Sequence, residues 1–382
     1  MLMQITGRDV ATGIPITAMV EDGRIVAINR APIESELWIS PGFVDLQVNG
    51  YFGLDLNAPN VSPDAISQLT RRLLSTGTTT FAPTVMTASE PEILHRLKCI
   101  AKTRGTDHIS RDCIPYVHME GPYISALDGY RGAHRLDAVR PPSVDEFERW
   151  QDACDGLVGL VTMSPHFANS EEYIGYLTAR GVLVSIGHTH ASGDQINAAV
   201  RAGARISTHL GNGIPLKLDR HPNPIWSQLA DDRLSASFIA DGHHLPGETF
   251  KAMLQAKGLE RSFLVSDLVT FGGWPTGIYE GPSGDVELTN DGRLQAVTSR
   301  LLAGATVPLA VCIGRAIRMT GRPLSEVIRM ITEIPGRFAK GRGRMAVGDR
   351  ADIVRFRFAE GQEVISVHDV WLAGQPMATA IS

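Results

Sequence analysis

Two rhythms of apolar and polar residues divide this chain. Between Phe43 and Ser266, short runs rich in β-branched and aromatic residues alternate with longer stretches of helical apolar spacing. The short runs are Phe43–Val48, Thr78–Ala82, Cys113–Met119, Leu157–Met163, Val182–Ile186, Arg205–Thr208, Ser235–Ala240 and Phe263–Ser266. Such runs read as buried strands, and the 3.6-residue period between them reads as helix. After Val182–Ile186, for example, Ser192 is placed to N-cap a helix with Ile196, Ala199, Val200 and Gly203 on one face. Strands alternating with helices form a parallel sheet, and eight such units predict an α/β fold, a closed (β/α)8 TIM-type barrel. The rival is an open doubly wound sheet, but no glycine-rich dinucleotide loop follows the first strand.

Outside that stretch the period changes to strands and turns. Met3–Ile5, Ile16–Val20, Arg24–Ile28 and Leu37–Ile39 are separated by Gly7, Gly13 and Asp22-Gly23. Ala351–Phe356, Val364–Val367 and Val370–Leu372 follow Gly341. We expect the two ends, residues 1–40 and 341–382, to build one small β-sandwich domain beside a hydrolase barrel of residues 41–340. Phe271–Val297 reads as an insertion at the barrel mouth, with a hairpin around Asn290-Asp291-Gly292, and helices are expected at 304–319 and 323–332.

Composition narrows the function. The 382 residues carry a net charge of -5, with 43% hydrophobic and 20% charged residues and no Lys/Arg block. Nucleic acid is therefore not an expected partner. No apolar run is long enough to span a membrane. The four scattered cysteines (Cys99, Cys113, Cys154, Cys312) form no CxxC and read as reduced thiols of a cytoplasmic protein.

The chemistry gathers at the C-terminal ends of the expected strands, where barrel enzymes keep their sites. The first offers Gln47 and Asn49, the third His118 and Glu120, the fourth His166. The fifth and sixth offer His188 and His209, the seventh Asp241, His243 and His244, and the eighth Asp267. Glu120, His188 and His209 form a two-histidine, one-carboxylate set that suits Zn2+ with a position left for water; Fe2+ or Mn2+ are alternatives. Asp267, the only acid on the last strand, is placed to act as general base and then general acid.

Several segments occur together in a fixed order: PGFVDLQVNG (41–50), HMEGP (118–122), GAH (132–134), GHTHA (187–191), THLGNG (208–213), ADGHH (240–244), LVSD (264–267), LAG (302–304) and GDRADIV (348–354). In this combination the chain resembles the N-acetylglucosamine-6-phosphate deacetylases of the amidohydrolase superfamily. The resemblance implies deacetylation of a phosphorylated amino sugar in amino-sugar catabolism, with one divalent metal ion per subunit held by Glu120, His188 and His209. It implies Asp267 as the catalytic acid/base, Gln47 in place of the H-x-H pair of binuclear relatives, and His134 with Ala133 at the acetamido end. Asn212, Gly213, His244 and the Leu302-Ala303-Gly304 segment would complete the substrate contacts. Arg220 would reach the neighbouring site of a homodimer. The chain departs from the family's usual pattern at Gly211, at Gly213-Ile214, at His166 and across Leu268–Trp274. Two rivals remain: a related amidohydrolase acting on another N-acyl sugar or a cyclic amide, and a silent barrel that only binds.

Overall fold

The computed structural model describes residues 2–32, 35–281, 284–359 and 361–377. The extreme ends of the expected chain-end domain, residue 1 and 378–382, lie outside them. Eight strands form one all-parallel sheet in sequence order. They are β1 (Phe43–Val48), β2 (Thr78–Met86), β3 (Val117–Glu120), β4 (Val158–Met163), β5 (Leu183–Ile186), β6 (Ile206–Ser207), β7 (Ser235–Phe238) and β8 (Ser262–Leu264). The chain just past β8 meets β1: Asp267 N–H donates to Gln47 O at 3.1 Å and Asn49 N–H to Leu268 O at 2.8 Å. Val48 and Leu268 pair as a parallel bridge. That seam closes the barrel expected from the sequence.

The helices form for local reasons that the sequence carries. Ser192 and Gln195 make a reciprocal capping box at the start of Gly193–Ala202, Ile196, Ala199 and Val200 are buried, and Gly203 ends the helix at φ 125°. Capping satisfies the free N–H groups of the first turn, while the glycine takes a backbone conformation that a Cβ would oppose.

Strands from both chain ends do pair, in one seven-stranded sheet. Its order is Gln375–Met377, Ser366–Leu372, Ile353–Arg357, Trp38–Pro41, Met3–Asp9, Pro15–Glu21 and Arg24–Arg30. Ile5, Val20, Ile25, Ile39, Ile353 and Trp371 share its apolar cluster. Two expected C-terminal strands, Val364–Val367 and Val370–Leu372, are one strand, Ser366–Leu372, and the turn at Ala373-Gly374 adds another. His368 and Asp369 had read as a break because they are polar; on a strand with one exposed face they are tolerated.

The helix expected at 304–319 starts only at Leu309. Residues 302–305 make isolated bridges instead, Leu302 with Gln295 and Ala305 with Leu268, and Ala305 N–H donates to Asp267 O at 3.0 Å. The hairpin at Asn290–Gly292 is present, within a three-stranded sheet of Gly277–Gly281, Gly284–Leu288 and Leu294–Ala296. Among the described residues no helix is long and apolar enough to cross a membrane.

Phe43 joins the two parts. Its ring is fully buried, stacks at a tilt on Phe356 with centroids 6.4 Å apart, and leaves no room for a Cβ at Gly77. Truncating a buried Phe costs about 3–5 kcal/mol. Phe43→Ala is expected to lose that much in reversible urea unfolding; a loss under about 1 kcal/mol would mean the ring is not packed as described.

Candidate active site

Glu120 ends β3, His188 and His209 each lie two residues beyond β5 and β6, and Asp267 lies three beyond β8. Three of these leave their strands through left-handed backbone, with φ of 49° at His188, 29° at His209 and 50° at Asp267. Residues with a Cβ adopt that region only where the surroundings impose it, and such strain gathers at functional positions. Here it accompanies convergence. Glu120 Oε1 lies 3.0 Å from His209 Nε2 and 3.3 Å from His188 Nε2, and accepts a hydrogen bond from Gln47 Nε2 at 2.8 Å. His134 Nε2 stands 3.3 Å from His188 Nε2 and 4.0 Å from Glu120 Oε2.

The ring protons can be traced through their partners. His188 Nδ1 is 2.9 Å from Tyr130 O, and a carbonyl only accepts, so the proton sits on Nδ1. His134 Nδ1 is 2.8 Å from Thr87 Oγ1, whose own proton goes to the Glu120 carbonyl. In the neutral rings both Nε2 atoms are therefore bare, and both face the Glu120 carboxylate. Ligand atoms of Glu120, His134 and His188 all lie within 4.8 Å of one another. Three buried acceptors converge where a proton donor is scarce, and a divalent cation fits that set. His209 adds a fourth, and its Nδ1 has no hydrogen-bond partner among the described residues.

Burial pushes the His134 imidazole down to about 3, which keeps it neutral. Burial would raise Glu120, but its contacts with the imidazoles around it outweigh that and hold the carboxyl well below its usual range. Asp267 moves the other way. Burial, then the Glu120 charge, push it up to about 6, so it is poised to exchange a proton near neutral pH. Its Oδ1 accepts from Asn49 Nδ2 at 2.8 Å and Gln47 Nε2 at 3.1 Å.

The remaining residues singled out in the sequence lie around this cluster or on the loops outside it. Gly213 packs on the His188 ring: a Cβ there would lie 2.7 Å from His188 Nδ1, and its φ is 61°. Asn212 precedes it, its N–H bonded to His209 O at 2.9 Å. His244 Nδ1 donates to Asp241 Oδ2 at 2.7 Å, which leaves Nε2 for a ligand. Leu302, Ala303 and Gly304 run beside Asp267, where a Cβ on Gly304 would be 3.5 Å from Asp267 O. Ala133 is exposed beside buried His134. Arg220 is exposed on the loop after Gly213, and among the described residues no ion pair holds it; Asp231 pairs with Arg233 instead.

His118, His166 and His243 do not join the cluster, and His243 Nε2 lies instead 3.0 Å from Asp291 O. His118 bonds Leu46 O through Nδ1 at 3.0 Å and Thr162 Oγ1 through Nε2 at 2.7 Å, inside the barrel. His166 bonds Ser164 Oγ at 2.6 Å and stacks on His190. Thr87 and Tyr130 had carried no motif, because each acts through one atom on a loop that only the fold brings near.

The tight seat of His188 against Gly213 generates a prediction. Groups that orient a metal-ligating histidine are worth about 10- to 100-fold in metal affinity. Gly213→Ala is expected to weaken divalent-metal binding by that order in a chelator competition. An unchanged affinity would show that the ring can yield.

A model of the amidohydrolase family matches residues 38–377. N-acetylglucosamine-6-phosphate deacetylase of Bos taurus is 33% identical over 332 residues, 83% of this chain and 78% of that protein. N-acetylgalactosamine-6-phosphate deacetylase of Escherichia coli O157:H7 is 28% identical over 367 residues, 93% of each. The structure of an N-acetyl-D-glucosamine-6-phosphate deacetylase mutant from Mycobacterium smegmatis, in complex with N-acetyl-D-glucosamine-6-phosphate, superposes with a TM-score of 0.87. It is 27% identical and covers 99% of this chain and 100% of its own. A family model spanning the barrel and most of the chain and a relative above 30% identity, on a barrel rim of buried histidines and carboxylates, lead to one assignment: the chain belongs to the N-acetylglucosamine-6-phosphate deacetylase family of the amidohydrolases.

Proposed function

We propose that this protein is a metal-dependent amide hydrolase that converts N-acetylglucosamine 6-phosphate to glucosamine 6-phosphate and acetate. The observation that carries the reading is the pairing of Asp267, held near neutrality, with the cation-shaped cluster around Glu120. Relatives bearing that activity in their names support the substrate. They do not favour a cyclic amide.

Glu120, His188 and His209 would hold one divalent ion, most simply Zn2+, with Fe2+ or Mn2+ suited to the same donors. That ion would supply Lewis acidity at the acetamide carbonyl and lower the pKa of water at the site. Asp267 takes the proton from the attacking water and later delivers it to the departing amine nitrogen, base and acid in turn. His134 Nε2, buried beside His188, faces the acetamido group. Gln47 holds Glu120 and Asp267 in register through one amide nitrogen.

The phosphate would lie against the Asn212 and Gly213 backbone and His244 Nε2, with Leu302–Gly304 lining the base side. A homodimer accounts for Arg220, which lacks a charged partner in its own subunit among the described residues. Leu216 and Trp226, 89% and 54% exposed on the same loop and the helix after it, suit such an interface. We assign residues 41–340 to the catalytic barrel and the chain ends to the small domain. Four buried, free cysteines suit the cytoplasm.

Acetate release from N-acetylglucosamine 6-phosphate, its galactosamine epimer and both unphosphorylated sugars tests the reading. The first is expected to be the best substrate; a clear preference for the epimer would move the assignment to the activity named in the E. coli relative. Asp267→Asn should lower kcat by about 10²–10⁴-fold with metal retained, since it cannot accept the proton. Near-normal turnover in the metal-loaded variant would place the base elsewhere.

Arg220 separates the phosphate from the sugar. Losing a hydrogen bond to a charged group costs about 1.5–3 kcal/mol, or roughly 10- to 150-fold. Arg220→Ala should lower kcat/KM by about that factor for the phosphorylated substrate and leave the unphosphorylated sugar unaffected. Equal losses on both would remove Arg220 from the site.

A further inference from the structure

Side chains alternate along a strand, so Asp45, Gln47 and Asn49 share one face of β1 and the residue just past it. All three bond to the chain around Asp267. Asp45 Oδ1 accepts the backbone N–H of Ser266 and that of Gln47, both at 3.2 Å. Gln47 Nε2 bonds both Glu120 and Asp267. Asn49 Nδ2 donates to Asp267 Oδ1 at 2.8 Å.

Asn49 differs from the other two. It is 4% exposed, and its Oδ1 has no hydrogen-bond partner among the described residues. A buried amide with its acceptor unmet lowers stability, so packing does not account for an asparagine here. Among the described residues, the one hydrogen bond its side chain makes is the one to Asp267.

We propose that Asn49 is a positioning residue for the hydrolytic step, resting on the reading of Asp267 as the acid/base. A carboxylate offers two oxygens and can turn about its Cβ–Cγ bond. Two amide N–H groups on Oδ1 fill that oxygen and stop the rotation. Oδ2 is then the atom that takes and returns the proton, at one fixed place. Gln47 alone would leave the carboxylate free to tilt, because its longer contact of 3.1 Å is shared with the bond to Glu120.

The test uses the metal-loaded enzyme and two variants, Asn49→Leu, close in shape but without polar atoms, and Asn49→Ala in case leucine crowds the site. A charge-assisted hydrogen bond and a correctly held base predict a fall in kcat of about 10- to 100-fold. KM should stay within about twofold, since the group acts on the base and not on substrate binding. Metal content should be unchanged, and Tm close to that of the wild type, because losing the unmet acceptor offsets losing the bond to Asp267.

An unchanged kcat in both variants would overturn the proposal. So would a kcat that falls only together with Tm or metal content, since that is what a structural residue would show. A wild-type enzyme that releases acetate while the variants match it would remove Asn49 and leave the functional reading standing. A wild type without acetate release would overturn both.

Discussion

A carboxylate buried among imidazoles whose protons point away from it is the constraint on which this structure turns. Glu120 sits at the end of β3 with three histidine Nε2 atoms around it, two of them bare in the neutral rings because Tyr130 O and Thr87 Oγ1 hold the protons on the far side. Removing charge and lone pairs from water in this way is costly unless a cation balances them. The left-handed turns at His188 and His209 accompany that convergence, as does the glycine at 213 that lets the chain close against the His188 ring. Each of these is unfavourable alone. Together they describe a site that a metal ion completes.

Two buried carboxylates in one site are driven apart by their neighbours. Glu120, in contact with the Gln47 amide and the imidazoles, is held well below the usual carboxylate range; Asp267, buried and facing Glu120's charge, is pushed up to about 6. Pairs separated in this way are how one fold assigns one group to hold charge and another to move protons. Gln47 couples them, since one amide nitrogen bonds both. The amide nitrogen brings a donor to each of the two carboxylates.

The seam between β1 and the chain beyond β8 is where closure and chemistry meet. Few backbone bonds join the two, and Asp45, Gln47 and Asn49 add side-chain bonds across it. The segment through Ala305 pairs with the other side of the same stretch, so Asp267 lies between two flanking chains. Asp267 is thereby held from both sides.

Much of this architecture was legible without coordinates. Alternating apolar runs and capped helical stretches specify a parallel barrel because period and length decide which faces are buried, and all eight strands overlap the expected runs, although the third begins at Val117, since Cys113 still belongs to the preceding helix. The convergence of Glu120, His188 and His209 was likewise readable, since residues ending adjacent parallel strands must open on one rim. Polar residues misled at His368-Asp369, where one exposed strand face admits them, and the helix expected from 304 begins only at Leu309, because Ala305 first pairs with the chain at Asp267. What tertiary structure alone decided was which polar groups touch. His118, at a strand end like the others, points its two nitrogens into the barrel, whereas His134, from a loop, reaches the cluster. Sequence spacing determines the strand end a residue occupies; proton direction, backbone strain and the pairing of Asn49 with Asp267 depend on atoms brought together from distant parts of the chain.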